Sequence, residues 1–191
     1  SQRTSRRFPL WLLHRDRTLR ISIVSYAFST ARRWGRLIRD DITEHGASLG
    51  LAIDPRTSAA HEWELAGAAG SVYCVGVKGA LTSRPVDLLI IDDPYRDGEQ
   101  ADSDAWRETV RDFWTEVAIP RLGPGVAVVI IQTRWRYDDL SGWLQAENRS
   151  EWRIINIPAQ ADHRPELGEV DPVGREPGQY MTSARGRTVA D

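Results

Sequence analysis

The chain has 191 residues, 41% hydrophobic and 27% charged, with a formal net charge of -2. That balance suits one soluble globular domain with a sizeable core and excludes a chain disordered throughout. No apolar run reaches the roughly 18 residues needed to span a bilayer, and a single cysteine, Cys74, excludes an internal disulfide and points to a reducing compartment.

The opening SQRTSRRFPLWLLHR is basic and partly helical, and starts without cap, linker or initiating methionine, so the chain is expected to be a fragment. Residues 1 to 39 carry ten arginines against one acid, Asp16. Such a segment is either a solvated face or a surface for phosphate, for which arginine forks are suited.

LRISIVSYA (Leu19 to Ala27) reads as a buried strand, because a short apolar run with β-branched residues is bounded by polar stretches. Ser29 or Thr30 is expected to cap a helix through about His45, with Ala31, Trp34, Leu37, Ile38 and Ile42 on one face and Gly46 as its stop. Residues 47 to 70 read as loop and short edge structure.

SVYCVGV (Ser71 to Val77) is strand-like, and VDLLIID (Val86 to Asp92) is apolar on both faces, as a central parallel strand is. Asp102 or Ser103 should cap a helix whose apolar positions Trp106, Val110, Phe113, Trp114 and Val117 keep helical spacing up to Pro120. GPG then breaks the chain before VAVVIIQ (Val126 to Gln132), a second apolar strand. Asp138 and Asp139 read as helix-start charges ahead of Leu144, EWRIINIPAQAD as one more strand, and residues from Pro158 onward as a linker or the edge of a following domain.

Strands alternating with helices predict an α/β fold, a mainly parallel sheet with helices on both faces. Sites in such sheets lie beyond the carboxyl ends of the strands. Two positions qualify: Asp92 and Asp93 after one strand, and Thr133, Arg134 and Trp135 after the next.

An acid at the end of a buried parallel strand can hold Mg²⁺ beside the phosphates of a nucleotide, and an adjacent acid can orient the attacking water. Taken alone, the pair is equally a turn or a helix cap. The companion glycine-rich phosphate loop ending in Gly-Lys-Ser or Gly-Lys-Thr is missing, for Lys78 in VGVKGAL lacks its spacing.

Five stretches bear on the choice: SRRFPLWLLHRD, ISIVSYAFSTARRWGRLIRDDI, GVKGALTSRPVDLLIIDDP, IIQTRWRYDDLSGWL and INIPAQAD. In this order they resemble the ATPase domain of the large terminase subunit of tailed bacteriophages, over most of residues 1 to 160. The resemblance implies a partial P-loop NTPase domain of the ASCE type over residues 1–157, lacking its phosphate loop, with 158–191 a linker or the start of a truncated nuclease domain.

It further implies an Mg²⁺-dependent ATPase that drives double-stranded DNA into a capsid. The expected partners are a portal protein, a small terminase subunit and like subunits in a ring, in the cytoplasm of a bacterial host and without a membrane. By the same resemblance Ser1 is the hydroxyl residue of the phosphate-loop motif, binding nucleotide and Mg²⁺. Asp92 takes the Mg²⁺-linked acid and Asp93 the catalytic carboxylate, a position more often glutamate in related motors. Gln132, Thr133 and Arg134 match the segment that couples hydrolysis to motion.

Thr133 is also readable as a cap of the following helix, and Arg134 as the partner of a nearby acid. Arg84 could approach phosphate or a neighbouring subunit, and Arg32 and Arg33 could face DNA. Two other functions stay open: a two-metal nuclease built on Asp92 and Asp93, with Asp54, Asp87 and Glu99 as available acids, and a degenerate prophage remnant without enzymatic activity.

Overall fold

A computed structural model describes residues 2–81 and 85–182. The chain divides into two compact units, Ser1–Glu147 and Asn148–Asp191. The expected boundary at residue 157 falls inside the second.

In the first unit, Gln2–Arg7 winds as a π-helix into α1 (Phe8–Arg15), where Pro9 sits in the first turn, which lacks intrahelical N–H partners anyway. Arg6 reaches α2 (Phe28–Leu49) through a two-pronged pair with Asp41, at 2.8 and 2.7 Å.

The sheet contains β1 (Arg20–Ser25), β2 (Ile53–Ala59), β3 (Glu62–Leu65), β4 (Ser71–Gly76), β5 (Val86–Asp92) and β6 (Leu122–Ile131). Their order is β2-β3-β4-β1-β5-β6. β4, β1, β5 and β6 run parallel, while β2 and β3 form an antiparallel hairpin on the β4 edge. The fold is therefore α/β with a mixed, mostly parallel sheet.

Period-two alternation sorts the central strands into two faces. Ile21, Ile23, Val72, Cys74, Leu88 and Ile90 share a core with Leu10 and Leu13 of α1 and with Ala31, Trp34, Ile38 and Ile42 of α2. The alternate residues Ser22, Val24, Val75, Leu89 and Ile91 are buried too. Burial on both faces is why these strands read as continuous apolar runs.

Several expectations are corrected. Helix α2 starts at Phe28, with Ala27 at its N-cap and no side-chain cap, so neither Ser29 nor Thr30 caps it. It also continues past Gly46 to Leu49 and stops at Gly50, whose φ of 66° is left-handed. Gly46 serves close approach instead: a Cβ there would stand 2.3 Å from the Leu51 carbonyl oxygen.

Within the stretch read as loop and short edge structure, residues 53 to 65 form a hairpin at the edge of the sheet. Gly123, Pro124 and Gly125 are accommodated within β6, whose register slips between Val86 and Leu88. Proline is tolerated there because β6 is an edge strand with no further strand beside it among the described residues.

Ser103 does cap α4 (Asp104–Asp112), accepting from the Trp106 N–H, and a short preceding helix, α3 (Gly98–Asp102), is capped by Asp97. After a π-helical turn, Phe113–Ala118, and a 3-10 turn, Ile119–Arg121, the chain enters β6. Helix α5 (Leu140–Asn148) follows.

The second unit holds no strand over 152 to 158. A strand needs a hydrogen-bonding neighbour, and among the described residues this stretch has no ladder partner; Ile154, Ile155 and Ile157 are exposed. The unit is tied by the Gln160–Tyr180 bridge and by Asp171, which takes Arg175 in an ion pair at 2.8 Å. That guanidinium, first of the groups hydrogen-bonded to it, holds the Asp171 carboxyl far below the usual carboxylate range.

Candidate functional site

The register aligns the carboxyl ends of three adjacent parallel strands. Val24 stands opposite Ile91 and Asp92 opposite Ile131, so Ser25, Asp92 and Ile131 lie level across β1, β5 and β6. Asp92 is 1% exposed and Ser25 is fully buried.

One residue further on, Asp93 leaves the ladder. Its φ of 48° is the one positive value at a non-glycine residue among the described residues. Left-handed backbone costs an L-residue roughly 1–2 kcal/mol, less for aspartate than for branched residues. Two backbone bonds hold it there: the Asp93 N–H donates to the Ile131 carbonyl at 2.8 Å, and its carbonyl accepts from the Tyr26 N–H at 3.0 Å.

The turn gives the two acids different surroundings. Burial pushes the half-buried Asp93 carboxyl above the usual carboxylate range, opposed by the nearby Thr133 backbone amide. A carboxylate held less acidic than normal, in contact with the segment after the neighbouring strand, is suited to accept a proton from water.

The segment after β6 is organised by Asp139, which is fully buried. Its carboxylate accepts from the Gly142 N–H at 3.0 Å, capping α5, and from the Trp135 N–H at 3.2 Å. Arg134 Nε pairs with it at 3.1 Å. The cap of this helix is thus Asp139, not Thr133, and Arg134 has the nearby acid as its partner.

Asp138 pairs with Arg107 at 3.3 Å and Arg136 at 3.0 Å. It joins α4 to this segment. Tyr95, 2% exposed, accepts the Leu140 N–H at 3.0 Å, and burial pushes its phenol up to about 12. Sequence reading missed Tyr95 and the buried role of Asp139, although an acid immediately before an apolar helical run is an N-cap signal.

Gln132 follows β6 with both amide atoms buried and without a hydrogen-bond partner, and the Ser25 hydroxyl is in the same condition. Buried polar groups are nearly always satisfied, by protein, water or ligand. Ser25 stands level with the buried Asp92, and its orphaned hydroxyl fits the oxygen-rich surroundings that Mg²⁺ and its water shell require.

Two of the three acids available to a two-metal nuclease, Asp87 and Asp54, lie away from Asp92 and Asp93. Asp87 begins β5, five residues from Asp92 and so roughly 16 Å away at strand rise, and is held by Arg20 at 2.7 Å. Asp54 lies on the far edge strand β2, paired with Arg56 at 2.7 Å. Among the described residues no group of three or more His, Cys, Asp or Glu could hold a metal.

Ser1 and Arg84 lie outside the described residues. Arg32 and Arg33 are exposed on α2. Lys78 lies over the Trp106 ring, 5.0 Å from its centroid, after β4 and not in a phosphate loop. No helix among the described residues is long and apolar enough to cross a membrane.

No family model matches the chain, and no curated protein is significantly similar to it.

Proposed function

We propose that this chain is the greater part of an ATP-hydrolysing motor domain of the large terminase type, which translocates double-stranded DNA into a phage capsid. The observation that carries the reading is the junction of β5 and β6: adjacent acids at the end of a central parallel strand, with Asp93 in contact with Thr133 beyond the next strand. The five stretches that resemble terminases supply the family.

Mg²⁺, when bound, would neutralise developing phosphate charge and orient the transferred group. Asp92 would hold it, with the hydroxyl of Ser1 as the second protein ligand. Asp93, less acidic than an ordinary carboxylate, accepts the proton of the attacking water. Thr133 senses that event through its N–H on the Asp93 carboxylate, and Arg134 passes it to α5 through Asp139. Gln132, with its unpartnered amide, would bond the water or the terminal phosphate.

The partners that follow are double-stranded DNA, a portal protein, a small terminase subunit and like subunits in a ring, in the cytoplasm of a bacterial host. DNA contacts of this kind go to phosphate and weaken with salt.

The test is ATP turnover, with and without double-stranded DNA, by the chain extended upstream by its natural coding sequence. The reading predicts Mg²⁺-dependent hydrolysis stimulated by DNA, and little or none by residues 1–191 alone. Metal-dependent cleavage of plasmid by residues 1–191, lost in Asp92→Ala, with no ATP turnover in the extended chain, would establish the nuclease instead.

A further inference from the structure

Ser25 closes β1 one position beyond Val24, which pairs with Ile91, so it stands level with Asp92 on the neighbouring strand. In-register residues on adjacent parallel strands project to the same face, and their side chains are near neighbours. Serine at this place is not explained by the fold. The backbone needs of the strand end are met by the Ser25 carbonyl, which accepts the Val77 N–H at 2.9 Å. The hydroxyl is fully buried and has no hydrogen-bond partner. Leaving a buried hydroxyl unsatisfied costs about 1–3 kcal/mol, which alanine at the same position would avoid.

We propose that the Ser25 hydroxyl is a positioning residue for the divalent cation held by Asp92, hydrogen-bonding a water of that cation's shell. The proposal rests on the reading of Asp92 as a metal-binding acid and adds a residue that the sequence did not single out. The chemistry fits: Mg²⁺ gives up its waters reluctantly and is held by one or two carboxylates with several waters kept. Those waters turn their oxygens to the cation and donate outward, so they need acceptors from the protein, and outer-shell groups of this sort typically change metal affinity by about 10–100-fold. The serine hydroxyl oxygen has lone pairs to accept such a bond. Its placement on β1 sets a second strand end beside Asp92 of β5.

The experiment measures Mn²⁺ binding by residues 1–191 through water-proton relaxation, a readout independent of hydrolysis, with thermal melts in EDTA for every variant. Wild type is expected to bind Mn²⁺, Asp92→Asn to lose the site, and Ser25→Ala to weaken binding about tenfold with its metal-free melting temperature unchanged or raised. Ser25→Cys, close in size but with a sulfur that accepts poorly, is expected to behave as Ser25→Ala does. Loss in Asp92→Asn with wild-type affinity in both Ser25 variants overturns the role of Ser25 and leaves that of Asp92 standing. Wild-type binding that survives Asp92→Asn, or no binding by the wild type, overturns the metal role of Asp92 and this proposal with it.

Discussion

The carbonyl of Asp93 accepts the backbone N–H of Tyr26 at 3.0 Å, which ties the turn after β5 to the end of β1. With the Asp93 N–H on Ile131, three parallel strand ends are locked around one left-handed residue. Asparagine tolerates that backbone as aspartate does, whereas valine does not. Asp93→Val should therefore cost about 1–2 kcal/mol in denaturant melts, and Asp93→Asn should not.

The ionisation of Asp93 opposes folding, because burial raises its carboxyl above the unfolded value. Stability from this group is lost as pH rises from the usual carboxylate range through the raised folded value. Asp93→Asn should then melt above wild type at neutral pH, with the difference shrinking below about pH 4. A constant offset across pH would show that burial does not set this carboxyl.

Asp41 behaves in the opposite sense. The side-chain hydrogen bond from Arg6 lowers its carboxyl, against the cost of burial. This contribution is complete above the ordinary carboxylate range and is lost as pH falls through the lowered folded value. Arg6→Ala leaves a carboxylate that is 3% exposed without its main partner. It should destabilise by about 3 kcal/mol at neutral pH, the lower end of the range for a broken buried pair because Arg6 itself is partly solvated. In acid the deficit should diminish.

At Gly46 two effects compete. Alanine is favoured over glycine inside a helix by about 1 kcal/mol. The new Cβ would meet the Leu51 carbonyl oxygen at 2.3 Å, a backbone atom that cannot swing aside. Overpacking of that kind costs about 1–3 kcal/mol, so Gly46→Ala should lower the midpoint of unfolding despite its better propensity.

Cys74 packs where α2 comes closest to β4, 1% exposed, and burial pushes its thiol up to about 12. The thiolate is the reactive form. A disulfide reagent at neutral pH should therefore label it only at the rate of unfolding, and should label it fully in denaturant.

The central strands were legible because burial on both faces writes itself as unbroken apolar sequence, as in ISIV and LLII. The hairpin β2–β3 was not. IDPRTSA is largely polar and contains Pro55, as an outer edge strand allows, so it carries no periodic signal. WRIINIP shows the reverse: its composition is that of a strand, yet pairing decides the matter and no ladder partner is present among the described residues.

At the site, the acids and their division were readable from their place at the end of β5 and from the resemblance, but the backbone turn that separates them was not. The positive φ of Asp93 and the Thr133 contact depend on how β5 and β6 end together. Asp139 looked like an ordinary helix start and is one, but only packing reveals that it also fixes Arg134. Ser25, an ordinary letter in ISIVSYA, becomes notable through burial and register alone.

The central claim, that Asp93 accepts a proton from water in ATP hydrolysis, is tested most directly by single-turnover hydrolysis in the upstream-extended chain, with ATP affinity measured alongside. Asp93→Asn should bind ATP as wild type does and hydrolyse it about 10²–10⁴-fold more slowly, the contribution of a positioned general base, while the exposed-residue control Glu44→Ala is unaffected. Hydrolysis by Asp93→Asn at the wild-type rate would contradict the account.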